Sequence, residues 1–177
     1  MTAGAGAALY CFAMTRITYI AVTGAAAAAL VLAAAPSAQA RINPEVGIAK
    51  VKLDNTQKQV IKKKGQPDSR EKVQNEILGS VTVFKYGPNG DDLEVTLYDK
   101  RVIGVGTRSA AERTTGGTGV GSTQSEVKAE FPQADCEKIG GRKQICMMGD
   151  FNPGEAVTTF RLTRKVVTEV EVARVID

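Results

Sequence analysis

Three carboxylates stand close together in the sequence, and they are the strongest candidates for acid–base chemistry. Asp91, Asp92 and Glu94 follow a Pro-Asn-Gly turn, and a pair of carboxylates can hydrolyse a substrate as acid and base or nucleophile. The chain has no histidine, the commonest general base. Aspartate is also commonplace beside such turns. We therefore predict a non-catalytic protein and keep a small extracytoplasmic hydrolase as the alternative.

The two cysteines of the segment "CEKIGGRKQIC" predict a disulfide. Cys136 and Cys146 lie on either side of a Gly-Gly turn, and in an oxidising compartment such a close pair favours a bond. The chain-entropy model gives a loop this short a stabilisation of roughly 2–3 kcal/mol. A metal site is the competing interpretation, but there is no histidine and no third thiol after residue 40.

Two glycine-containing segments partly match the sequence patterns of phosphate-binding and calcium-binding loops, but each lacks a residue that its pattern requires. The segment "GGTGVGST" at 116–123 has Ser122 where a phosphate-binding loop needs lysine. The segment "DFNPGE" at 150–155 places its glycine one position too early for a calcium loop. We interpret the first as a linker ending in a helix cap and the second as a turn, and predict no cofactor and no metal.

Residues 1–40 have the composition of a signal peptide. Arg16 is their only charged residue, an alanine-rich apolar run spans 17–35, and Ala38-Gln39-Ala40 offers small residues for cleavage before Arg41. An uncleaved membrane anchor is the alternative, because the run approaches spanning length. Residues 1–13 are an extension if translation begins at Met14. The sequence thus predicts a secreted protein.

A thirteen-residue phrase occurs twice and predicts two short helices. "TQKQVIKKKGQPD" begins at Thr56 and "TQSEVKAEFPQAD" begins at Thr123, with several residues shared in one register. Each opens with the capping-box spacing, Thr56 with Gln59 and Thr123 with Glu126. The proline near the end of each phrase stops the helix. We predict one-sided helices near 56–64 and 123–131.

Alternating strands follow each helix. In the first half they are "VTVFKYG", "LEVTLY" and "VIGVGTRS", and in the second "RKQICMM", "AVTTFRL" and "VVTEVEVARVI". The sequence predicts an α+β fold of two tandem helix-plus-antiparallel-hairpin repeats, with the helices packed on one face of an antiparallel sheet. The predicted divisions are repeat 1 at 41–108, a linker at 109–121 and repeat 2 at 122–177.

Strand alternation assigns a binding face to the side of the sheet away from the helices. The outward set is Glu94, Thr96 and Tyr98 if the apolar set Leu93, Val95 and Leu97 faces the helices.

The second half continues this face with Thr159 and Arg161, if Phe160 and Leu162 point inward. This choice of inward residues is offset by one position from the 64-residue spacing that matches the following turns, "DKRVI" and "TRKVV". The offset predicts a bulge in this strand. Tyrosine and arginine often dominate interfaces. The predicted partner-binding residues are therefore Thr96, Tyr98, Thr159 and Arg161, although Tyr98 could instead merely cover a neighbouring strand.

The "T-x-x-x-V…G-x-P" helices and paired hairpins resemble the β-lactamase inhibitory proteins and the small outer-membrane-assembly lipoproteins. The segment "GTGVGST", the Cys136/Cys146 pair and the terminal Val175-Ile176-Asp177 most resemble uncharacterised secreted actinobacterial proteins. The sequence departs from these patterns at Asp54 and Asn55, at Ser69 in place of a cysteine, and in lacking a lipid-attachment cysteine. The resemblance implies a non-catalytic, extracytoplasmic protein-binding module.

The charge balance fits this class of function. The net charge is +4, which does not demand a polyanionic partner. The basic run Lys62–Lys64 with Lys58 is interpreted as a solvated helix face, with an envelope polyanion or lipid headgroups as its alternative contact. We expect the partner to be another envelope or secreted protein, not nucleic acid. Membrane contact is expected only during export, and a monomer is favoured.

Overall fold

Strands dominate the part of the chain that the computed structural model describes, residues 42–176. The helices are α1 (Gln57–Lys64) and α2 (Gln124–Glu130), and a single 3₁₀ turn spans Pro88–Gly90. The strands, in chain order, are β1 (Ile42–Asn43), β2 (Gly47–Ile48), β3 (Val51–Lys52), β4 (Ser69–Asn75), β5 (Gly79–Tyr86), β6 (Leu93–Tyr98), β7 (Arg101–Thr107), β8 (Asp135–Gly140), β9 (Lys143–Gly149), β10 (Ala156–Thr163) and β11 (Val166–Arg174).

The predicted signal peptide and its alternative, an uncleaved anchor, both fall on residues 1–40 and so lie outside the described residues. Between residues 42 and 176, no helix has both the length and the apolar character that crossing a membrane requires.

Eight strands form one antiparallel sheet in the order β4-β5-β6-β7-β11-β10-β9-β8. Its centre is the pairing of β7 with β11, where Val105 lies opposite Val172 and Gly106 opposite Glu171. Strands β1, β2 and β3 form a separate three-stranded sheet. The edges of the large sheet are therefore β4 and β8.

Both helices begin where the repeated phrase predicts. Thr56 Oγ accepts from the Gln59 amide, and the Gln59 side chain accepts from the Thr56 amide at 2.8 Å. The same reciprocal pair joins Thr123 and Glu126. Within each helix one side chain is fully buried, Val60 in α1 and Val127 in α2. The predicted capping boxes are confirmed, and each helix buries one side chain.

The two central hairpins use equivalent tight turns. Asp99 and Lys100 close the β6–β7 hairpin with φ of 45° and 61°, and Arg164 and Lys165 close the β10–β11 hairpin with φ of 53° and 66°. This is the left-handed pair that twisted two-residue hairpins require. Aligning "DKRVI" with "TRKVV" places Asp99 opposite Thr163. In the structure Asp99 corresponds to Arg164, so the second turn lies one residue later than this alignment predicts.

A bulge does interrupt β10–β11 between Arg161 and Leu162, as predicted. An equivalent bulge lies between Thr96 and Leu97 in β6–β7. Both hairpins therefore have a bulge at the same position. The second bulge is not an extra residue that brings the two halves back into register, which was the reason for predicting it.

The core lies on one face of the large sheet, the inner face. Phe84, Val95 and Phe160 of the sheet are fully buried and belong to the same apolar cluster as Val60 of α1 and Val127 of α2. Residues of the small sheet complete it, namely Ile42, Ile48 and Val51. Both helices and the small sheet thus pack against the inner face.

The predicted fold class is wrong. The described chain is mostly β, with helices of eight and seven residues only, and it is not an α+β array of helix-plus-hairpin repeats. The prediction missed the two edge strands, because β4 is exposed along nearly its whole length and β8 carries charges without alternating apolar residues. It also missed the small sheet, whose two-residue strands are too short to show a period.

Candidate protein-binding face

The side of the large sheet opposite the core, the outer face, collects polar side chains in cross-strand rows. Val95 and Leu97 are buried on the inner face, so alternation turns Glu94, Thr96 and Tyr98 outward. In β11, Val170 and Val172 are fully buried, so Glu169 and Glu171 point outward. The rows run across β7, where Gly106 lies between Glu94 and Glu171.

Two glycines leave a shallow trough along the middle of the outer face. Gly104 and Gly106 are the outward positions of β7. Gly104 is buried between its neighbours, and Gly106 leaves the backbone partly exposed on the floor. A Cβ at Gly104 would meet Thr96 and Ala173 at 3.6 and 3.7 Å, and one at Gly106 would meet only the Val170 carbonyl, at 3.8 Å. These are ordinary contact distances, so packing does not require either glycine. A glycine inside a strand often marks a close approach by a ligand or another backbone.

Ion pairs hold the arginines beside this trough. Arg108 donates to Glu169 at 3.0 Å, and this hydrogen bond raises the pKa of the guanidinium. Arg161 lies 3.2 Å from Glu171 and 3.9 Å from Glu169. Nearer β4, the hydrogen bond from Lys85 to Glu71 at 2.9 Å raises the pKa of that amine. The charged side chains beside the trough are therefore held in defined positions before any partner arrives.

The four residues predicted to bind a partner share the outer face but differ in exposure. Tyr98 is 41% exposed, Arg161 is exposed and ion-paired, and Thr96 lines the trough. Thr159 is only 8% exposed, beside Glu171 and Met147 in its row. Tyr98 is not buried beneath a helix. Their role in binding stays a prediction.

The three carboxylates of the hydrolase alternative lie in different surroundings. Asp91 is directed at Arg108, 3.8 Å away, and Asp92 lies against the backbone of Gly87. Of the three, only Glu94 lines the trough, whose cavity volume is about 20 Å³. Small-molecule sites usually enclose about 300–1,000 Å³.

The predicted disulfide is confirmed. Cys136 on β8 lies directly opposite Cys146 on β9 with a Cα–Cα distance of 4.0 Å, and their sulfurs are bonded. Cys146 is fully buried in the core beside Phe160. The bond therefore ties the edge strand β8 to its neighbour β9, whose Cys146 side chain belongs to the core.

The glycine-rich segment predicted to be a linker is a loop built around two charged side chains. Arg113 donates to the carbonyls of Ala110, Gly117 and Val120 and to the Ser122 hydroxyl, at 3.0–3.2 Å. On the α2 side, the Glu130 carboxylate accepts from Gly116, Thr114 and Thr118. Amides that could have cradled a phosphate thus bind the chain's own carboxylate.

This arrangement makes Glu130 a source of pH-dependent stability. Burial pushes the pKa of Glu130 upward, but the hydrogen bonds from Thr118, Thr114 and Gly116 outweigh it, so the net pKa is lowered. A carboxyl with a lowered folded-state pKa stabilises the fold above its unfolded pKa. That stability is lost as the pH falls through the folded-state value.

We predict that Glu130→Gln lowers the free energy of unfolding at pH 7 by about 1–2 kcal/mol, because charge-assisted hydrogen bonds become neutral ones. The two proteins should approach equal stability as the pH falls through the lowered folded-state pKa of Glu130, because the wild-type carboxyl then becomes protonated. Urea unfolding at pH 7, 5 and 3.5 measures this. Glu137→Gln, at an exposed position of β8, is the control. A constant difference at every pH would contradict the assignment.

The residues of this face that the sequence analysis missed are Gly104, Gly106, Arg108, Glu169 and Glu171. The two glycines were visible as breaks in the alternation of "VIGVGTRS", a signal of close backbone approach. The alternation in "TEVEV" predicts that Glu169 and Glu171 share one face of a strand. It does not predict that Arg108 and Arg161 are their ion-pair partners.

Comparison with known proteins shows similarity at the level of fold. No protein-family model matches the sequence, and no curated protein sequence matches it either. An extracellular protein containing an SCP domain from Bacillus anthracis superposes with a TM-score of 0.53 at 8% identity, over 77% of this chain and 48% of that one. A cysteine-rich secretory protein from Staphylococcus aureus gives 0.41 at 12% identity, over 76% and 49%.

A "putative beta-lactamase inhibitor protein" from Streptococcus mutans gives a TM-score of 0.32 at 9% identity, over 75% of this chain and 91% of that one. The expected resemblance to β-lactamase inhibitory proteins is thus met only by a similarity too weak to support an argument. The chain spans about half the length of the Bacillus and Staphylococcus structures.

Proposed function

We propose that this chain is a secreted, non-catalytic protein-binding module whose outer sheet face docks onto another envelope or secreted protein. The observation that carries the proposal is the pair of outward glycines, Gly104 and Gly106, at the centre of the outer face. Neither glycine is needed for packing, and glycine weakens a strand interior. A partner that approaches the partly exposed backbone at Gly106 accounts for this glycine.

The shape and chemistry of the outer face suit a protein partner. The trough is shallow and open, with about 20 Å³ of cavity volume, whereas a small substrate needs a deeper pocket. Tyr98 offers a large exposed ring, and Arg161 is pre-positioned by Glu169 and Glu171. Tyrosine and arginine are enriched among residues that dominate binding energy.

Export is supported by the disulfide between Cys136 and Cys146, since such bonds persist in oxidising compartments. The signal-peptide composition of residues 1–40 points the same way. We propose that the protein acts as a monomer.

The test begins with affinity capture of a partner from the envelope and secretome of the source organism, followed by measurement of Kd with variants. Gly106→Val should weaken binding at least tenfold by filling the trough. It should keep or raise Tm, because its φ lies outside the left-handed region and valine favours strands. Tyr98→Ala and Arg161→Ala should also weaken binding and leave Tm nearly unchanged.

Ser69→Val is the matched control, because Ser69 lies on the edge strand β4 opposite Lys85, far along the same row from Gly106. Undiminished binding by Gly106→Val would overturn the placement of the site. If a hydrolytic activity is found that Glu94→Gln abolishes, the non-catalytic assignment is wrong.

A further inference from the structure

One end of the large sheet concentrates basic side chains. The β8–β9 turn and the β10–β11 turn lie side by side, joined by a hydrogen bond of 2.8 Å from the Arg164 amide to the Arg142 carbonyl. We call this region the basic end. Its five cations are Lys138, Arg142, Lys143, Arg164 and Lys165. Four of these, all but Lys143, line a depression of about 190 Å³.

These cations are available to a ligand. Elsewhere on the sheet, Arg108, Arg161, Arg174 and Lys85 form ion pairs. Across residues 42–176, no carboxylate lies within ion-pairing distance of the five side chains of the basic end, and none of these five side chains donates a hydrogen bond. Uncompensated cations at this density favour an anionic partner.

Two apolar side chains protrude among the cations. Ile139 is 52% exposed and occupies the irregular register of β8 between Lys138 and Gly140. Val166 is 39% exposed and follows Lys165 directly. Cations beside protruding aliphatic side chains suit a membrane surface, where charged headgroups lie above an apolar layer.

The two cations of the β10–β11 turn occupy a backbone conformation that is unfavourable for their residue types. Both Arg164 and Lys165 have positive φ, a conformation in which asparagine and glycine are strongly favoured. Chain folding alone would select Asn-Gly at these positions, whereas this chain carries two cations.

The equivalent turn in the first half supplies an internal comparison. There, Asp99 and Lys100 occupy the same left-handed pair, so the turn is neutral overall. Glu76 adds a second acidic residue beside the exposed Ile77 in the β4–β5 connection. The two turn residues are therefore neutral in the first half and doubly positive in the second, although Lys58 and Arg101 lie beside the first turn.

We propose that the basic end docks onto an anionic lipid surface, with the cations contacting headgroups and with Ile139 and Val166 entering the interface. This surface is separate from the outer-face trough. Nucleic acid fits less well, because single strands bind through aromatic stacking and the exposed aromatic residues Tyr98 and Phe151 are not among the residues of the basic end. Each cation near such a surface contributes about fivefold in affinity.

The test is co-sedimentation with vesicles of phosphatidylcholine alone or with phosphatidylglycerol added. All variants are expressed from the full sequence in one host, so that they share one N-terminus. Wild type should bind the anionic vesicles, bind the neutral ones at least tenfold less, and dissociate as salt is raised.

The decisive variant is Arg164→Asn/Lys165→Gly, which removes two cations and installs the residues that the turn prefers. It should keep or raise Tm and bind anionic vesicles roughly 25-fold more weakly. Ile139→Ser should also weaken binding without changing its salt dependence.

The matched control is Asp99→Asn/Lys100→Gly, which makes the same backbone change at a neutral turn and should bind as wild type does. The proposal would be overturned if both turn variants lost the same affinity for anionic vesicles. It would also be overturned if wild type bound neutral vesicles as tightly as anionic ones. Binding to heparin or duplex DNA without binding to anionic vesicles would assign the surface to a different polyanion and would also overturn it.

Discussion

Phe160→Ala is expected to lower the free energy of unfolding by about 3–5 kcal/mol, the largest effect of any single substitution considered for this chain. Phe160 is fully buried and stacks on Phe131 with ring centroids 5.7 Å apart. Its strand neighbours are Cys146 and Val170, both fully buried as well. Truncation leaves a cavity in the core, and it removes the ring contact with Phe131 at the end of α2.

The measurement is urea unfolding at 15 °C, with Phe151→Ala as the matched control. Phe151 is 52% exposed, so its truncation should change stability by no more than about 0.5 kcal/mol. If Phe160→Ala does not fold, Phe160→Leu should still fold with a smaller loss. A loss below about 1 kcal/mol for Phe160→Ala would contradict the described packing.

Removing the disulfide is expected to cost about 2–3 kcal/mol while leaving the fold intact. On the chain-entropy model the bond between Cys136 and Cys146 acts by restricting the unfolded chain. The bond joins only the edge strand β8 to its neighbour, so the remaining strands should still pair without it. Cys136→Ala/Cys146→Ala and reduced wild type should therefore both unfold at lower urea concentration.

The comparison of these two samples separates the cross-link from the packing of sulfur. Reduced wild type retains the buried Cys146 side chain, so it should be somewhat more stable than the alanine pair. Reductant should not affect the alanine pair. If reduction leaves the stability of wild type unchanged, the stabilising role of the bond is refuted.

Local chemistry explains which features could be predicted. Thr56 and Thr123 begin helices because a capping box is satisfied within four consecutive residues. Cys136 and Cys146 meet because a tight turn brings near neighbours in sequence together. The outward positions of Tyr98 and Arg161 follow from alternation within single strands. Each of these features depends on interactions over a short stretch of chain.

The errors arose where the pattern of a segment depends on its place in the sheet. An edge strand such as β4 has solvent along one side and, here, exposed side chains on both faces, so it carries no alternating pattern to recognise. Periodicity therefore predicts only three strands in each half, and the helices form a larger share of the predicted fold than of the observed one. The small sheet at residues 42–52 was missed because its strands are stabilised by burial of Ile42, Ile48 and Val51 and not by length.

The amino-acid sequence by itself determined the two capped helices, the disulfide and the alternation of the central strands, because each is fixed by residues close together in the chain. Only the tertiary structure decided that β7 pairs with β11, which brings Gly106 between Glu94 and Glu171. It also decided that Glu130 occupies the glycine-rich loop and that two turns unite the five cations of the basic end. These contacts join residues far apart in sequence, and burial of the shared core selects them.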